Sequence, residues 1–335
     1  MAGAKFSVIV PAHNAEATLE AALGAIFKQQ CQSGFEVIAV DDASTDRTAE
    51  LIKKFPARLL ALKENLGAGG ARNRGAQAAS GEILVFVDAD VFLQPGALAQ
   101  IENYFVQNPG VAALVGNYTA MPGDSNFCTV YHNLFTVYHH DLSAERIEWF
   151  WGALSAIRRE TFEKLSGFSE EYPGASAEDI ELGYRLSEAG REIRYFPELR
   201  GVHGRRFGLA SMLYNDYHKS VLGLKLYLKR KPAGKHPHGF SSPKNGLNLA
   251  LAPLTALGLL AVPFTYGIPW LIFSIVFLTV NFSFYRYILK NAGARYLVPS
   301  VFLHWLSFNV IALGVAGGLL GLALGRGLES KSRWL

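Results

Sequence analysis

The sequence predicts an α/β domain built on a mostly parallel sheet with flanking helices, followed by a basic amphipathic segment and membrane-spanning helices. Three observations predict it. Short apolar, β-branched runs ending in proline or acids alternate with helix-like segments over residues 5–90, the pattern of a parallel sheet covered by helices. Charge is sorted along the chain: residues 1–216 carry 19 Lys and Arg against 27 acids, net −8, whereas residues 217–335 carry 13 against one, net +12. Three long apolar stretches then occupy the last third of the chain.

The elements follow in order. Lys5–Pro11 reads as a buried strand, and a helix pattern runs from about Ala15 to Gln30. Phe35–Val40 is a second strand ending at Asp41 and Asp42, and Thr45–Phe55 is a helix with Ser44 or Thr45 as its cap. Arg58–Lys63 reads as a third strand. The Gly/Ala-rich stretch Gly67–Ser80 reads as a helix after its glycines, and Glu82–Val87 as a fourth strand ending at Asp88. In such sheets ligands bind beyond the carboxyl ends of the strands. His13 with Asn14, Asp41 with Asp42, and Asp88 with Asp90 all fall there. Residues 117–201 are mixed and rich in aromatics and acids, with a strand at Glu192–Pro197. The expected units are residues 1–208, an interfacial segment and linker at 209–245, a membrane region of two to three helices at 246–326, and a short tail at 327–335.

Leu209–Lys231 is amphipathic and increasingly basic, and Pro232–Lys244 reads as a linker. Leu247–Tyr266, Ile268–Leu289 and Val298–Leu324 each match or exceed one bilayer crossing. Only Arg286, Lys290 and Arg295, and no acid, interrupt residues 246–325. The first two stretches are separated at Gly267, which demands a tight hairpin. Three spans would leave Arg326, Lys331 and Arg333 on the far side, against the positive-inside tendency; two spans with one interfacial or re-entrant segment remove that conflict. Cys31 and Cys128 form no close-spaced motif, which excludes a disulfide framework and a paired-cysteine zinc site and fits a reducing compartment. The opening MAGAKFSVIVPAHNAE lacks the shape of a signal peptide, so a cytoplasmic catalytic part is expected. The basic third is too apolar for a solvated nucleic-acid surface, so no nucleic-acid partner is expected.

Asp88-Ala89-Asp90 follows an apolar strand, and residues two apart share a side of a strand. Hard oxygen ligands of this kind suit Mg²⁺ or Mn²⁺ bridging a diphosphate; the plainer reading is a pair of solvated loop acids. Asn65–Gly75, NLGAGGARNRG, fits neither a Walker loop nor G-x-G-x-x-G, while Arg72 and Arg74 would bring cations near a nucleotide. Glu178-Asp179 opens a helix with Ser176 as candidate cap. Acids there favour the helix dipole, and one of them would serve as a general base. His203 with Arg205 and Arg206 reads as an exposed basic loop or as a diphosphate clamp in which His203 is a metal ligand.

Together SVIVPAHN, VDDASTD, NLGAGGARNRGAQAASGEILVFVDADV, WGALSAIRRETFEKLSGF and AEDIELGYRLSEAG resemble the family 2 glycosyltransferases of GT-A fold, in the family's order over about residues 5–205. The resemblance implies sugar transfer from a nucleotide-sugar donor with inversion, assisted by Mg²⁺ or Mn²⁺, in envelope glycan or glycolipid synthesis. It implies that Pro11, His13, Asn14 and Arg72 border the nucleotide, that Asp41 and Asp42 contact base or ribose, and that Asp88 and Ala89 face the ribose or metal. It makes Asp90 the metal ligand, Asp179 the base with Glu178 beside it, and Trp151 and Gly152 the acceptor-side loop, flanked by Arg205 and Arg206. DADVFLQP departs from the D-A-D-L-Q-H-P of enzymes acting on polyprenyl phosphates, and no Q-x-x-R-W follows the base, as a polysaccharide synthase would have. A phosphate nucleophile needs no strong base, so Glu178-Asp179 favours a hydroxyl. The expected protein is a multi-pass membrane enzyme adding one sugar to a lipid or lipid-linked hydroxyl at the cytoplasmic face, its basic segment on lipid headgroups. The alternatives are a polyprenyl-phosphate glycosyltransferase and a non-catalytic membrane subunit that binds nucleotide sugars.

Overall fold

The first four parallel strands follow from their sequences. β1 (Phe6–Ala12), β2 (Phe35–Asp41), β3 (Arg58–Ala61) and β4 (Ile83–Val87) are joined through α1 (Leu19–Phe27), α2 (Thr48–Ile52) and α3 (Gly67–Ala78). A computed structural model describes residues 6–171, 177–230 and 242–324. Ser176, residues 231–241, and Arg326, Lys331 and Arg333 lie outside the described residues. β1 is buried along its whole length, and its alternation splits the side chains between two apolar layers: Val8 and Val10 face one, Ile9 the other. α3 is made of small residues because it lies hard against β1. A Cβ on Gly75 would stand 2.4 Å from Ile9 Cγ2.

The second half adds β5 (Val91–Leu93), α4 (Ala97–Gln107), β6 (Val111–Tyr118), α5 (Phe127–Asp141), β7 (Arg146–Ile147), β8 (Leu154–Arg158), α6 (Arg159–Lys164), α7 (Glu178–Glu188) and β9 (Glu192–His203). The sheet runs β3-β2-β1-β4-β8-β6-β9-β5, with β7 on β9. β1 pairs parallel with β2 and β4, β2 with β3, and β6 with β9; β8 is antiparallel to β4 and β6, and β5 and β7 to β9. The parallel half is the one expected from the alternating pattern, and the mixed half is the part whose pairing that pattern leaves open. The expected strand Glu192–Pro197 continues to His203, which carries it back to the sheet's mouth beside Val91. Neither Ser44 nor Thr45 caps α2. Its first residue is Thr48, whose N–H donates to Asp46 Oδ1 at 2.9 Å; Ser44 and Thr45 bond Asn14 instead.

The C-terminal third consists of α8 (Leu209–Arg230), α9 (Pro243–Leu260), α10 (Val262–Thr265), α11 (Ile268–Val280), α12 (Phe282–Ala292) and α13 (Ala294–Ala323). The hairpin at Gly267 is present: Tyr266 and Gly267 are both left-handed, and α9 and α11 pack so closely that a Cβ on Gly258 would meet Trp270 N at 2.8 Å. Of the two to three membrane helices expected, among the described residues one, Ala294–Ala323, is by itself long and apolar enough to cross a membrane, or up to two if a bent pair is one span, so three spans and a multi-pass chain are not supported. The second apolar stretch is two helices bent by 59° at Asn281. Asn281 and Asn248 exchange side-chain amide hydrogen bonds of 2.8 and 2.9 Å, and Asn281 also donates to Phe277 O. Buried amides left unpaired are costly, so this pair holds the break in place. The first stretch starts as a helix at Pro243, inside the expected linker, and ends at Leu260, short of Tyr266. A further cluster joins α5 to α12 and α13 through Val130, Tyr131, Leu134, Phe284, Ile288 and Leu303.

Candidate active site

The carboxylates gather at the mouth of the sheet around one arginine. Asp88 follows β4 directly, its N–H bonded to Ala153 O at 3.0 Å. Arg72, on α3, is 2% exposed. Its Nη2 donates to Asp88 Oδ1 at 2.7 Å and its Nη1 to Glu178 Oε1 at 2.9 Å. Burial disfavours the guanidinium charge, but Asp88 and Glu178 outweigh it and hold the group protonated. The fork therefore ties the strand end bearing Asp88 to the helix bearing Glu178 and Asp179. Gly152 makes room for it, since a Cβ there would lie 2.6 Å from Arg72 Cζ.

Of the two acids opening α7, Glu178 is buried against Arg72 and Asp179 is half-buried. Asp179 Oδ2 accepts from the N–H of Gly152 at 3.1 Å, and Oδ1 from that of Ile180 at 2.7 Å. Asp179 is thereby held against the Trp151–Gly152 loop, where Trp151 is half-buried and packs edge-on against Tyr118 at 4.6 Å. Burial pushes the Asp88 carboxyl up, and the nearby Asp90 adds to this against the pull of Arg72. For Asp90 burial works upward too, but His203 and Arg205 override it and hold the carboxyl below its ordinary range. Asp90 Oδ2 faces His203 Nε2 at 3.8 Å, and the His203 ring stacks flat on Tyr118 at 4.2 Å. Ala89, between the two aspartates, is buried.

The nucleotide-side residues divide. Asp42 is fully buried, and its two oxygens accept from the N–H groups of Leu66 and Gly67 at 2.7 and 2.8 Å. Both oxygens thus help to fix the start of α3. Asp41 is buried and bonds Ser44 N. Pro11 is buried inside β1 opposite Val40. His13 Nδ1 lies 2.8 Å from Asp42 O, and Asn65 Nδ2 contacts the same nitrogen at 3.1 Å. Asn14 and Ala43 adopt left-handed φ values of 49° and 55°, a conformation that costs residues with a Cβ about 1–2 kcal/mol. Asn14 Oδ1 accepts from Thr45 N at 2.8 Å, which pins this turn. Arg72 is buried between Asp88 and Glu178, and Arg74 pairs with Glu170 at the surface. Arg205 is half-buried over the Phe207 ring and its charge reaches Asp90, whereas Arg206 turns out to Asp124.

Lys219 falls in the α8 row Met212, Asn215, Lys219, Leu222, Leu226, of which the other four are buried and Lys219 itself is exposed. Burial of its charged end and Arg205 push its pKa down, while Asp179, Asp216 and Glu178 act the other way. The signal in the sequence is the 3-4-3-4 spacing, which places a lysine in an otherwise inward row.

Residues 7–166 match the profile of Glycosyl transferase family 2, and residues 135–215 match one described as the N-terminal domain of galactosyltransferase. The chain is 30% identical over 229 residues to validoxylamine A glucosyltransferase of Streptomyces hygroscopicus subsp. limoneus, covering 58% of this chain and 51% of that one. It is 29% identical over 208 residues to the probable glycosyltransferase YdaM of Bacillus subtilis, covering 58% and 49%. The chain thus spans about half the length of these relatives. The solved structure of a mannosyltransferase from Pyrobaculum calidifontis, in complex with GDP-Man and Mn²⁺, shares the fold: TM-score 0.58 at 20% identity, covering 96% of this chain and 88% of that one. The parallel half-sheet with its acids at the strand ends, the mixed second half and the profile match place residues 7–166 in glycosyl transferase family 2, within a GT-A-like fold.

Proposed function

We propose that this chain is a membrane-attached inverting glycosyltransferase that moves one sugar from a nucleotide-sugar donor to a hydroxyl of a lipid or lipid-linked acceptor at the cytoplasmic face. The observation that carries the reading is Asp179. Its carboxylate is fixed by the Gly152 N–H at 3.1 Å, next to half-buried Trp151, and linked through Glu178 and Arg72 to Asp88. A hydroxyl seated at Trp151 gives its proton to Asp179 as its oxygen bonds the anomeric carbon from the side opposite the leaving group. The bond from that carbon to the diphosphate breaks, and the nucleoside diphosphate leaves as an anion. A phosphate nucleophile would leave Asp179 without a task, which favours the hydroxyl acceptor over polyprenyl phosphate.

A divalent cation fits the donor set at Asp90 and His203. Their facing atoms are 3.8 Å apart, and carboxylate with imidazole suits Mn²⁺ better than Mg²⁺. The described residues contain no group of three potential metal ligands, so Asp90 and His203 would hold the ion with ligands from substrate and water, as is usual for such ions. The bound cation would supply positive charge to the leaving diphosphate. Asp88, turned to Arg72, orders the strand end beside it. The Pyrobaculum mannosyltransferase, with GDP-Man and Mn²⁺, supports this class of donor and ion. Attachment to a membrane is supported by the exposed apolar residues of the last third and by helix Ala294–Ala323. Two free cysteines fit the cytoplasmic side.

The test is a panel of nucleotide sugars with Mn²⁺ and membrane lipid extract, reading nucleoside diphosphate release and labelled lipid. Asp179→Asn is expected to lower transfer by about 10²–10⁴-fold, the range for a positioned general base, with donor binding retained. Full turnover in that variant, or loss of donor binding as well, overturns the base assignment.

A further inference from the structure

A mostly apolar groove with a basic edge lies between α5 and α12 and shares no residue with the carboxylate cluster. It is an open groove of about 450 Å³ lined by Tyr138, Ser283, Arg286, Tyr287, Leu289 and Lys290. Lys244, at the start of α9, closes one side: its Nζ donates to Ser283 Oγ at 3.2 Å and stands 5.4 Å from the centroid of the Tyr138 ring. The Tyr138 hydroxyl shares a 2.7 Å hydrogen bond with the same Ser283 oxygen.

One cation, Lys244, contacts the hydroxyl pair, and two more, Arg286 and Lys290, line the same groove. Among the described residues none of the three has a carboxylate partner within ion-pair distance. Asp141, the acid whose charge reaches Tyr287, is paired with Arg200 at 2.8 Å. Like charges gathered without a counter-ion repel one another, so the groove is poised for an anion. Its surroundings indicate which kind. Leu289 and Phe282 are 47% and 61% exposed beside it, and the adjoining α11 exposes Leu271, Ile275 and Leu278. An anion carrying acyl chains satisfies both surfaces at once, whereas a free phosphate satisfies only the cations. Basic pockets beside apolar helices commonly hold lipid head groups.

We propose that the groove formed by Tyr138, Ser283, Arg286, Lys290 and Lys244 binds the phosphate of an anionic phospholipid, whose acyl chains run along α11. The site rests on the membrane-attached reading above and adds to it a specific lipid class and its ligands. Arg286 and Lys290, one helical turn apart, supply the charge. The Ser283–Tyr138 pair, which shares one hydrogen bond, keeps one O–H to donate, and Lys244 fixes Ser283.

The full chain, extracted from membranes in detergent, is titrated with dioleoyl-phosphatidylglycerol or dioleoyl-phosphatidylcholine, and bound lipid is read by native mass spectrometry. Phosphatidylglycerol is expected to bind in clear excess, by about 5-fold for each cation engaged. The R286Q/K290Q variant should lose that preference, each single change should lose part of it, and K28Q/K53Q, with the same net charge change on the opposite part of the chain, should keep it. An unchanged melting temperature shows that the variants are folded. Equal uptake of the two lipids, a preference that survives R286Q/K290Q, or displacement of phosphatidylglycerol by excess inorganic phosphate each overturns the proposal. A chain recovered from the soluble fraction of cells would instead overturn the membrane reading, before any lipid is added.

Discussion

Arg72 is the largest fully buried side chain in the protein and has carboxylates at both ends of its fork. Its Nε is buried without a partner, so the arrangement is not optimised for stability alone. Removing one member of a buried ion pair costs about 3–5 kcal/mol, because the other charge stays behind. Arg72→Met strands Glu178, which is 1% exposed. Chemical denaturation of the detergent-solubilised chain is expected to show a loss of that size, with Arg72→Lys intermediate because an ammonium cannot span both acids. A change below about 1 kcal/mol would mean that Glu178 is neutralised some other way. Gly152→Ala should act in the same direction by pushing the fork off its partners. These residues show where sequence reading reaches its limit. Acids at strand ends and at a helix start are legible from spacing alone. Which of them already have protein partners is not, because the partner of Glu178 lies 106 residues away and the oxygens of Asp42 bond a helix start that only the folded chain brings near.

At the scale of elements, α8 and α13 are built to fit each other. A Cβ on Gly314 would stand 2.0 Å from Ser220 Oγ, and one on Gly317 would stand 3.0 Å from the Tyr217 hydroxyl. Small residues let helices approach in this way. The basic amphipathic pattern of α8 is visible in the sequence, yet the same pattern suits a helix lying on headgroups and a helix docked on an apolar neighbour, so its partner is decided by packing. The bent pair at Asn281 has the same origin: a hydropathy run records how apolar a stretch is, not whether two buried asparagines break it. Asp216 on α8 carries a testable consequence. Burial pushes its carboxyl up to about 6, with Ser307, Lys219 and Asn215 lowering it only in part. Its unfolded value is near 3.8, so the folded state keeps this proton longer than the unfolded chain does. Stability contributed by the protonated group is present at about pH 4 and is lost as pH rises toward 6, by roughly 2–3 kcal/mol. Melting curves from pH 4 to pH 8 should show that decline in the parent chain and a flatter profile for Asp216→Asn. Parallel profiles would remove Asp216 as its source.

For the whole molecule, the sorting of charge and the sorting of apolar surface coincide. Among the described residues before Leu209 the exposed large hydrophobics are Val106, Phe127 and Leu142; the rest begin at Leu209 and crowd residues 247–324. Isolated exposed apolar residues are ordinary, but contiguous exposed patches mark interaction surfaces. Here the patch lies on helices joined through one apolar cluster to α5 of the catalytic part, so whatever the patch enters also fixes the catalytic part's distance from it. Two kinds of attachment are physically distinct. A chain held by its basic residues is screened off by salt, whereas one held by apolar burial is not. At about 25 cal/mol per Å², burying even part of this surface outweighs the roughly 1 kcal/mol that each surface cation contributes. The chain is therefore expected to stay in the membrane pellet through high salt and alkaline carbonate and to leave it only with detergent. Release by salt alone would show that the cations, and not the helices from Leu247 onward, hold it there.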